Sequence, residues 1–156
     1  MKLLVKQRVF SWTDSYDVYD ENENAKYFVK AEFFRIGHVI HVYDRQNREV
    51  GCIRERILTF LPKFELEMNG QVLGEIRKEF SFLRPHYTLD CNDWEVHGDF
   101  LGWDYEVCTP SRSVMNIQKE IFHWGDTYVI DILDPKDEIM ALMLAIAIDA
   151  ANCTNK

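Results

Sequence analysis

The sequence has 156 residues, of which 47% are hydrophobic and 28% charged, and its net charge is −8. This length predicts one domain, residues 1–156, with a core large enough to need no disulfide staples, and the composition is not that of a disordered chain. The acidic balance, 26 Asp and Glu against 18 Lys and Arg, argues against a nucleic-acid-binding protein that relies on overall charge.

The beginning of the chain and its cysteines predict the compartment. Only three consecutive apolar residues occur within Met1–Lys6, too few for the hydrophobic core of a secretory signal peptide. The cysteines, which have no C-x-x-C spacing, are Cys52, Cys91, Cys108 and Cys153. A chain of this size needs no disulfide framework, so we expect free thiols and a cytoplasmic protein. Two disulfides in an exported protein are the alternative.

An internal repeat organises most of the chain. Six apolar anchors follow one another at intervals of 20 to 24 residues: Val9, Phe33, Ile57, Phe80, Phe100 and Ile121. Large apolar residues recur seven and nine residues after each anchor, except that they come slightly earlier after Phe100. Their period of two is typical of half-buried strands. These pairs are Tyr16/Val18, Ile40/Val42, Phe64/Leu66, Tyr87/Leu89, Tyr105/Val107 and Tyr128/Ile130.

The first half of each unit is also predicted to be a strand. Segments such as Val50–Leu61 could form a helical apolar stripe, but glycines interrupt them and no helix cap separates them from the next strand. A β-bulge near Glu55, Lys78 and Lys119 would reconcile their spacing with strands. The turn sequences that follow the strand pairs are Asp20–Asn24, Asp44–Asn47, Asn69-Gly70, Asn92-Asp93 and Pro110-Ser111.

The last segment differs from the repeat and predicts a helix over residues 135–150. Asp134 suits an N-cap, Pro135 suits the first helical position, and Ile139–Ile148 is apolar on every side. Ten residues span about 15 Å of helix, half of a membrane core, so this is not a transmembrane segment. Twelve strands closed into a barrel leave a lumen that such a helix would fill. We therefore predict a mainly β protein: a closed antiparallel barrel of about twelve strands, in six hairpin repeats, around one buried C-terminal apolar helix.

Several short segments, in a fixed order, carry a family resemblance over nearly the whole chain. They are Phe10-Ser11-Trp12, Tyr19-Asp20-Glu21, Phe60–Lys63, Asn69-Gly70, Ile76–Phe80, Trp94–Phe100, Trp124–Tyr128 and the apolar tail Ile139–Asp149. Together they resemble the LURP-one-related family of the tubby-like superfamily, which also holds the phospholipid scramblases. The resemblance implies a twelve-stranded barrel around a C-terminal helix. It implies less about function: tubby domains bind membrane phosphoinositides, scramblases act on lipids, and the family has no catalytic motif.

The residue patterns favour neither a metal site nor an active site. The histidines, His38, His41, His86, His97 and His123, show no convergent ligand spacing, so solvated or locally bonded side chains are expected. The acidic residues Asp131, Asp134, Asp137 and Glu138 lack the pattern of a calcium loop, and helix capping accounts for most of them. No phosphate loop, nucleophile elbow or zinc-protease motif occurs, so we expect no cofactor and no catalytic residue.

Charge is uneven along the chain, and this points to one candidate binding surface. Residues 1–84 hold 14 basic and 13 acidic residues, whereas residues 85–156 hold 4 and 13. Basic residues recur at equivalent points of adjacent hairpins: Arg54, Arg56, Lys63, Arg77, Lys78 and Arg84. The first five are the predicted patch for anionic lipid headgroups. An ordinary solvated strand face, with glutamates interleaved, is the simpler interpretation of the same residues.

Three classes of function follow. The first is a non-catalytic barrel that binds a phospholipid surface or a protein partner. The second is a scramblase-like lipid handler or another enzyme, which a cleft with convergent ionisable groups would indicate. The third is a purely structural or interaction protein recognised through its acidic second half.

Overall fold

A computed structural model describes residues 1–6, 15–34, 37–56, 60–61, 63–80, 85–90, 92–99, 102–122 and 125–153. The strands are β1 (Lys2–Val5), β2 (Ser15–Tyr19), β3 (Ala25–Phe34), β4 (Gly37–Tyr43), β5 (Glu49–Arg56), β6 (Lys63–Met68), β7 (Gln71–Phe80), β8 (Pro85–Leu89), β9 (Glu95–Asp99), β10 (Asp104–Cys108), β11 (Ser113–Phe122) and β12 (Gly125–Ile132). A 3₁₀ turn, Pro135–Asp137, leads into the helix α1, Glu138–Cys153. Outside the described residues lie Val9, Phe10–Trp12, Ile57, Arg84, Cys91, Phe100, His123 and Trp124, which the sequence analysis singled out.

The strands form one closed antiparallel barrel. Each strand pairs with the next along the chain, and β1 closes the barrel by pairing with both β12 and β2. The predicted class, a closed barrel of twelve strands in six hairpins with a C-terminal helix, is confirmed. The connections from β1 to β2, from β3 to β4 and so on up to β12 lie at one end of the barrel, which we call the hairpin rim. The connections from β2 to β3, from β4 to β5 and so on lie at the other end, which we call the turn rim.

The lumen is lined by the alternating residues of the repeat. Along β4, Ile40 and Val42 are buried, and along β6 Phe64 and Leu66 are buried, with at most 1% exposure. The equivalent pairs on β8, β10 and β12 are also in the core. Since side chains alternate between the two faces of a strand, this pattern fixes which residues of each strand face the helix.

The bulges do not lie where the sequence analysis placed them. Glu55 pairs with Phe64, Lys78 with Tyr87 and Lys119 with Tyr128, all in regular register. The register shifts instead follow Val18, Val42, Leu66 and Val107, next to the turns that link one hairpin to the next. The prediction was therefore wrong in position. The extra residue lies near the start of each long strand, beside the turn rim, at Lys26 of β3, Val50 of β5, Leu73 of β7 and Val114 of β11.

Two of the linking turns are built alike. The Oδ1 atom of Asp20 accepts hydrogen bonds from the backbone N–H groups of Asn22 and Asn24 at 2.9 and 3.0 Å. Asp44 Oδ1 accepts from residues 46 and 48 at the same distances. Aspartate favours such turns because its short carboxylate reaches the backbone two residues ahead.

The helix begins as the sequence indicates. The Asp134 side chain accepts a hydrogen bond from the Lys136 backbone N–H, and Pro135 occupies the first turn. Tyr27 of β3 donates a hydrogen bond from its hydroxyl to Glu138 Oε1 at 2.8 Å, which ties the start of α1 to the barrel wall. From residue 141 to residue 151 every side chain of the helix is buried. Within the described residues, no helix is both long and apolar enough to cross a membrane.

The helix also carries a buried acidic residue, Asp149. Asp149 of α1 is 5% exposed, next to tyrosines of three separate strands: Tyr87 and Tyr105, which are buried, and Tyr16, which is half-buried. Burial, followed by the negative charge of Asp149, raises the pKa of each tyrosine hydroxyl. These hydroxyls therefore stay protonated over the whole physiological range.

Candidate functional site

Four of the five predicted patch residues share the outer face of the barrel. Arg54 and Arg56 lie on β5, Lys63 on β6 and Arg77 on β7, and the arginine side chains are between 43% and 53% exposed. Arg56 is the direct partner of Lys63, and Lys63 is the direct partner of Arg77. Adjacent strands thus place three cations in one row across the barrel wall.

Lys78 does not belong to this surface. It follows Arg77 directly in a regular strand, so its side chain faces the lumen, on the side of Ile76. Lys78 is only 8% exposed, and burial lowers the pKa of its amine. The sequence analysis grouped Lys78 with the other four because basic residues recur at equivalent points of adjacent hairpins, but that recurrence does not distinguish the two faces of a strand.

Carboxylates neutralise most of the outer patch. Each arginine lies within 4 Å of at least one carboxylate oxygen. The pairs are Arg54–Glu67, Arg56–Glu65, Arg56–Glu75, Arg77–Glu75 and Arg77–Asp90. Such exposed pairs contribute about 0–1 kcal/mol each, so they do not prevent the arginines from turning to another anion. The patch itself is close to electrically neutral.

A fully exposed aromatic residue adjoins the row of cations. Phe60 is 99% exposed in the connection between β5, which ends at Arg56, and β6, which begins at Lys63. Ile121, near the end of β11, is 85% exposed at the same hairpin rim. An aromatic side chain in open solvent, in the connection between two strands that carry cations, makes this end of the barrel a candidate contact surface.

A second cluster lies nearer the turn rim, on the outer face of β4 and β5. His41 is the direct cross-strand partner of Cys52, and Cys52 is the direct partner of Glu67 on β6. His41 Nδ1 lies 2.8 Å from Glu49 Oε1. Ligand atoms of His41, Glu49 and Cys52 all lie within 4.8 Å of one another. Burial raises the pKa of the Cys52 thiol to about 12, and the Glu49 carboxylate contributes to the rise.

The sequence analysis missed this cluster. Its members are three and eight residues apart, and no metal or catalytic motif has that spacing. The signal that could have found it is the hairpin register, because a tight turn after Tyr43 brings His41 opposite Cys52. The other described histidines also lie beside carboxylates, in the pairs His38–Glu55, His86–Glu79 and His97–Glu95.

The acidic residues before α1 are used in local contacts. Asp137 forms an ion pair with Arg112 at 2.9 Å, and Asp134 caps the 3₁₀ turn. Asp131 lies 3.9 Å from the amino group of Met1. Cys52 and Cys108 are free thiols, as expected for two of the four cysteines.

These features define a class of protein: a closed twelve-stranded antiparallel barrel filled by its own C-terminal helix. Residues 1–149 match the LURP-one-related family, and the chain belongs to that family. It is 26% identical, over 149 residues, to YxjI, an uncharacterised protein of Bacillus subtilis strain 168. The match covers 96% of this chain and 92% of the relative. An X-ray structure of a protein from Arabidopsis thaliana has the same fold, with a TM-score of 0.66 at 15% identity, over 96% of this chain and 90% of that one.

Proposed function

We propose that this single-domain protein is a non-catalytic, cytoplasmic barrel that docks on anionic phospholipid surfaces through its hairpin rim. The observation that carries the proposal is Phe60, whose ring is 99% exposed between Arg56 and Lys63. Aromatic rings favour the membrane interface, and neighbouring cations are attracted to anionic headgroups. Phe60 supplies the insertion, and Arg56, Lys63 and Arg77 supply the contact with phosphate.

The row formed by Arg56, Lys63 and Arg77 supports this function because its three positive charges repel one another when no anion is bound. Like charges directly opposite each other on adjacent strands destabilise a sheet. Arg56, Lys63 and Arg77 form two such pairs in succession. The flanking carboxylates reduce this repulsion in solution, and an anionic headgroup would reduce it further at a membrane.

The expected affinity is low. Burying one phenylalanine side chain contributes about 1.5–3 kcal/mol, and each cation near an anionic surface contributes about 1 kcal/mol. Repulsion between the membrane and Glu65, Glu75 and Asp90, which lie beside the cations, subtracts from this sum. The total corresponds to a dissociation constant near the millimolar range. Stable attachment would require a second membrane contact, for which Ile121 at the same rim is suitably exposed.

The test is sedimentation with vesicles of phosphatidylcholine alone and of phosphatidylcholine with phosphatidylserine or phosphoinositide. We expect binding only to the anionic vesicles, and a steep decrease as salt rises. Phe60→Ser should weaken binding at every salt concentration. The double variant Arg56→Glu/Arg77→Glu should abolish it while the circular dichroism spectrum stays that of the wild type.

Two matched variants at the turn rim serve as controls. Val72→Ser removes an apolar side chain that is 60% exposed, and Arg48→Glu reverses a cation that is 73% exposed. Both lie at the end of the barrel away from Phe60, so both should bind as the wild type does. Equal sedimentation of the wild type and the Arg56→Glu/Arg77→Glu variant, or binding that salt does not change, would contradict the proposal and leave an ordinary solvated face.

A further inference from the structure

His41, Cys52 and Glu67 form a continuous row on the outer face of three adjacent strands. They are direct cross-strand partners on β4, β5 and β6. Outer-face positions of a barrel are normally exposed, yet Cys52 is only 2% exposed. A thiol enclosed by an imidazole and two carboxylates on the outside of a barrel does not contribute to the hydrophobic core.

A carboxylate of β3, that of Glu32, contacts the second ring nitrogen of His41. The Nε2 atom of His41 lies 3.4 Å from Glu32 Oε2, and Glu32 is itself paired with Lys30 at 3.0 Å. Its Nδ1 atom points the other way, toward Glu49 and Cys52. In a metal-binding histidine, one ring nitrogen usually contacts a carboxylate and the other coordinates the metal. The contacts of His41 have this arrangement.

We propose that His41 Nδ1, the Glu49 carboxylate and Cys52 Sγ bind a divalent transition-metal ion, of which Zn²⁺ is the expected member. The donor set of one nitrogen, one sulfur and one oxygen suits zinc, whereas calcium and magnesium take oxygen ligands alone. Tetrahedral zinc with ordinary bond lengths keeps its ligand atoms about 3.3–3.8 Å apart. The three ligand atoms, all within 4.8 Å of one another, reach this geometry through small side-chain movements.

A small cavity beside the proposed site provides room for a fourth ligand. A cavity of about 80 Å³ adjoins the cluster and is lined by Glu49, Gly51, Cys52, Glu67, Asn69 and Gly70. It is large enough for a bound water, and Glu67, which also lines it, is the alternative fourth ligand. This inference is separate from lipid binding, because none of its ligands lies in the row formed by Arg56, Lys63 and Arg77.

The test uses the full chain, reduced and freed of metal with a chelator. Titration with Zn²⁺ should show one tight equivalent by calorimetry and a rise in Tm, because a ligand that binds only the folded state stabilises it. Titration with Co²⁺ should give the ultraviolet charge-transfer absorption of a cobalt–thiolate bond. Cys52→Ser should abolish that absorption, and His41→Gln or Glu49→Gln should weaken Zn²⁺ binding roughly 100-fold or more.

Matched variants separate this site from other surface groups. Cys108→Ser changes the other described free thiol, and His97→Gln changes an exposed histidine paired with Glu95. Both should bind Zn²⁺ as the wild type does. Glu32→Gln should weaken binding by about 10–100-fold yet keep the cobalt–thiolate absorption, since Glu32 orients the ligand without contacting the metal. Absence of a stoichiometric equivalent, or equal loss in the control variants, would overturn the proposal.

Discussion

Gly51 of β5 lies directly against Met143 of the helix. A Cβ atom added to Gly51 would be 2.6 Å from the Sδ atom and 3.2 Å from the Cγ atom of Met143. Both residues are buried. The glycine therefore makes room in the wall for a bulky, flexible side chain of the helix, and a methyl group at this position would require Met143 to shift.

Gly51→Ala should overpack the lumen and lower the free energy of unfolding by about 1–3 kcal/mol. Met143→Ala alone should cost about 2–5 kcal/mol because it leaves a cavity. In the double variant the new methyl group occupies part of that cavity, so the loss should be smaller than the sum of the two single losses. Urea denaturation of all four proteins measures this difference, and strict additivity would show that the two residues do not share a packing site.

Leu144→Asp should prevent stable folding. Leu144 has no exposed surface, so the substitution places an unpaired charge in an apolar lumen at a cost of several kcal/mol. That cost approaches the whole stability of a typical domain, about 5–15 kcal/mol. We expect insoluble or unfolded protein in expression trials and circular dichroism, whereas Leu144→Met should fold. A folded Leu144→Asp variant that only leaves a membrane fraction would mean that the helix is an anchor and not core.

Two glycines with positive φ should respond differently to alanine. At Gly98, where φ is +127°, the added Cβ would lie 2.6 Å from the Asp104 carbonyl oxygen and 2.8 Å from Tyr105 Cα. Backbone atoms cannot move aside, so Gly98→Ala should cost about 3 kcal/mol or more. At Gly70, where φ is +80°, the Cβ meets no described atom within 4 Å, and only the strain of about 1–2 kcal/mol remains. Comparable thermal shifts for the two variants would contradict this contrast.

The aspartate turns should make the protein sensitive to acid. Backbone hydrogen bonds, from Asn24 to Asp20 and from Arg48 to Asp44, hold the pKa of each carboxyl below its ordinary value of 3.8. Because the folded-state pKa is depressed, their contribution to stability is present above that ordinary value and is lost as pH falls through the folded-state value. Asp20→Asn/Asp44→Asn keeps the side-chain oxygens but removes the titration. Its free energy of unfolding should therefore decrease less between pH 5 and pH 3 than that of the wild type, as measured by urea denaturation; equal decreases would contradict the assignment.

Much of the fold could be predicted because it depends on local patterns. Period-two alternation identifies Ile40 and Val42, or Phe64 and Leu66, as lumen residues whatever their neighbours are. The candidate sites could not be predicted to the same extent. Lys78 was grouped with Arg77 because basic residues recur at equivalent points of adjacent hairpins. Neighbouring residues of a regular strand face opposite sides, and only Arg77 faces the solvent.

The sequence by itself determined the number of hairpins, the turns built on Asp20 and Asp44, and a helix whose apolar surface on every side requires enclosure. Only the tertiary structure decided which strands meet at which residue. Asn69 and Gly70 set one turn, but the pairing of Cys52 with both His41 and Glu67 depends on two registers: that of β5 against β4, which shifts after Val42, and that of β5 against β6, which is regular. Register is a property of paired strands, because it depends on which residues of the neighbouring strand supply the ladder hydrogen bonds and on which face of each strand is buried.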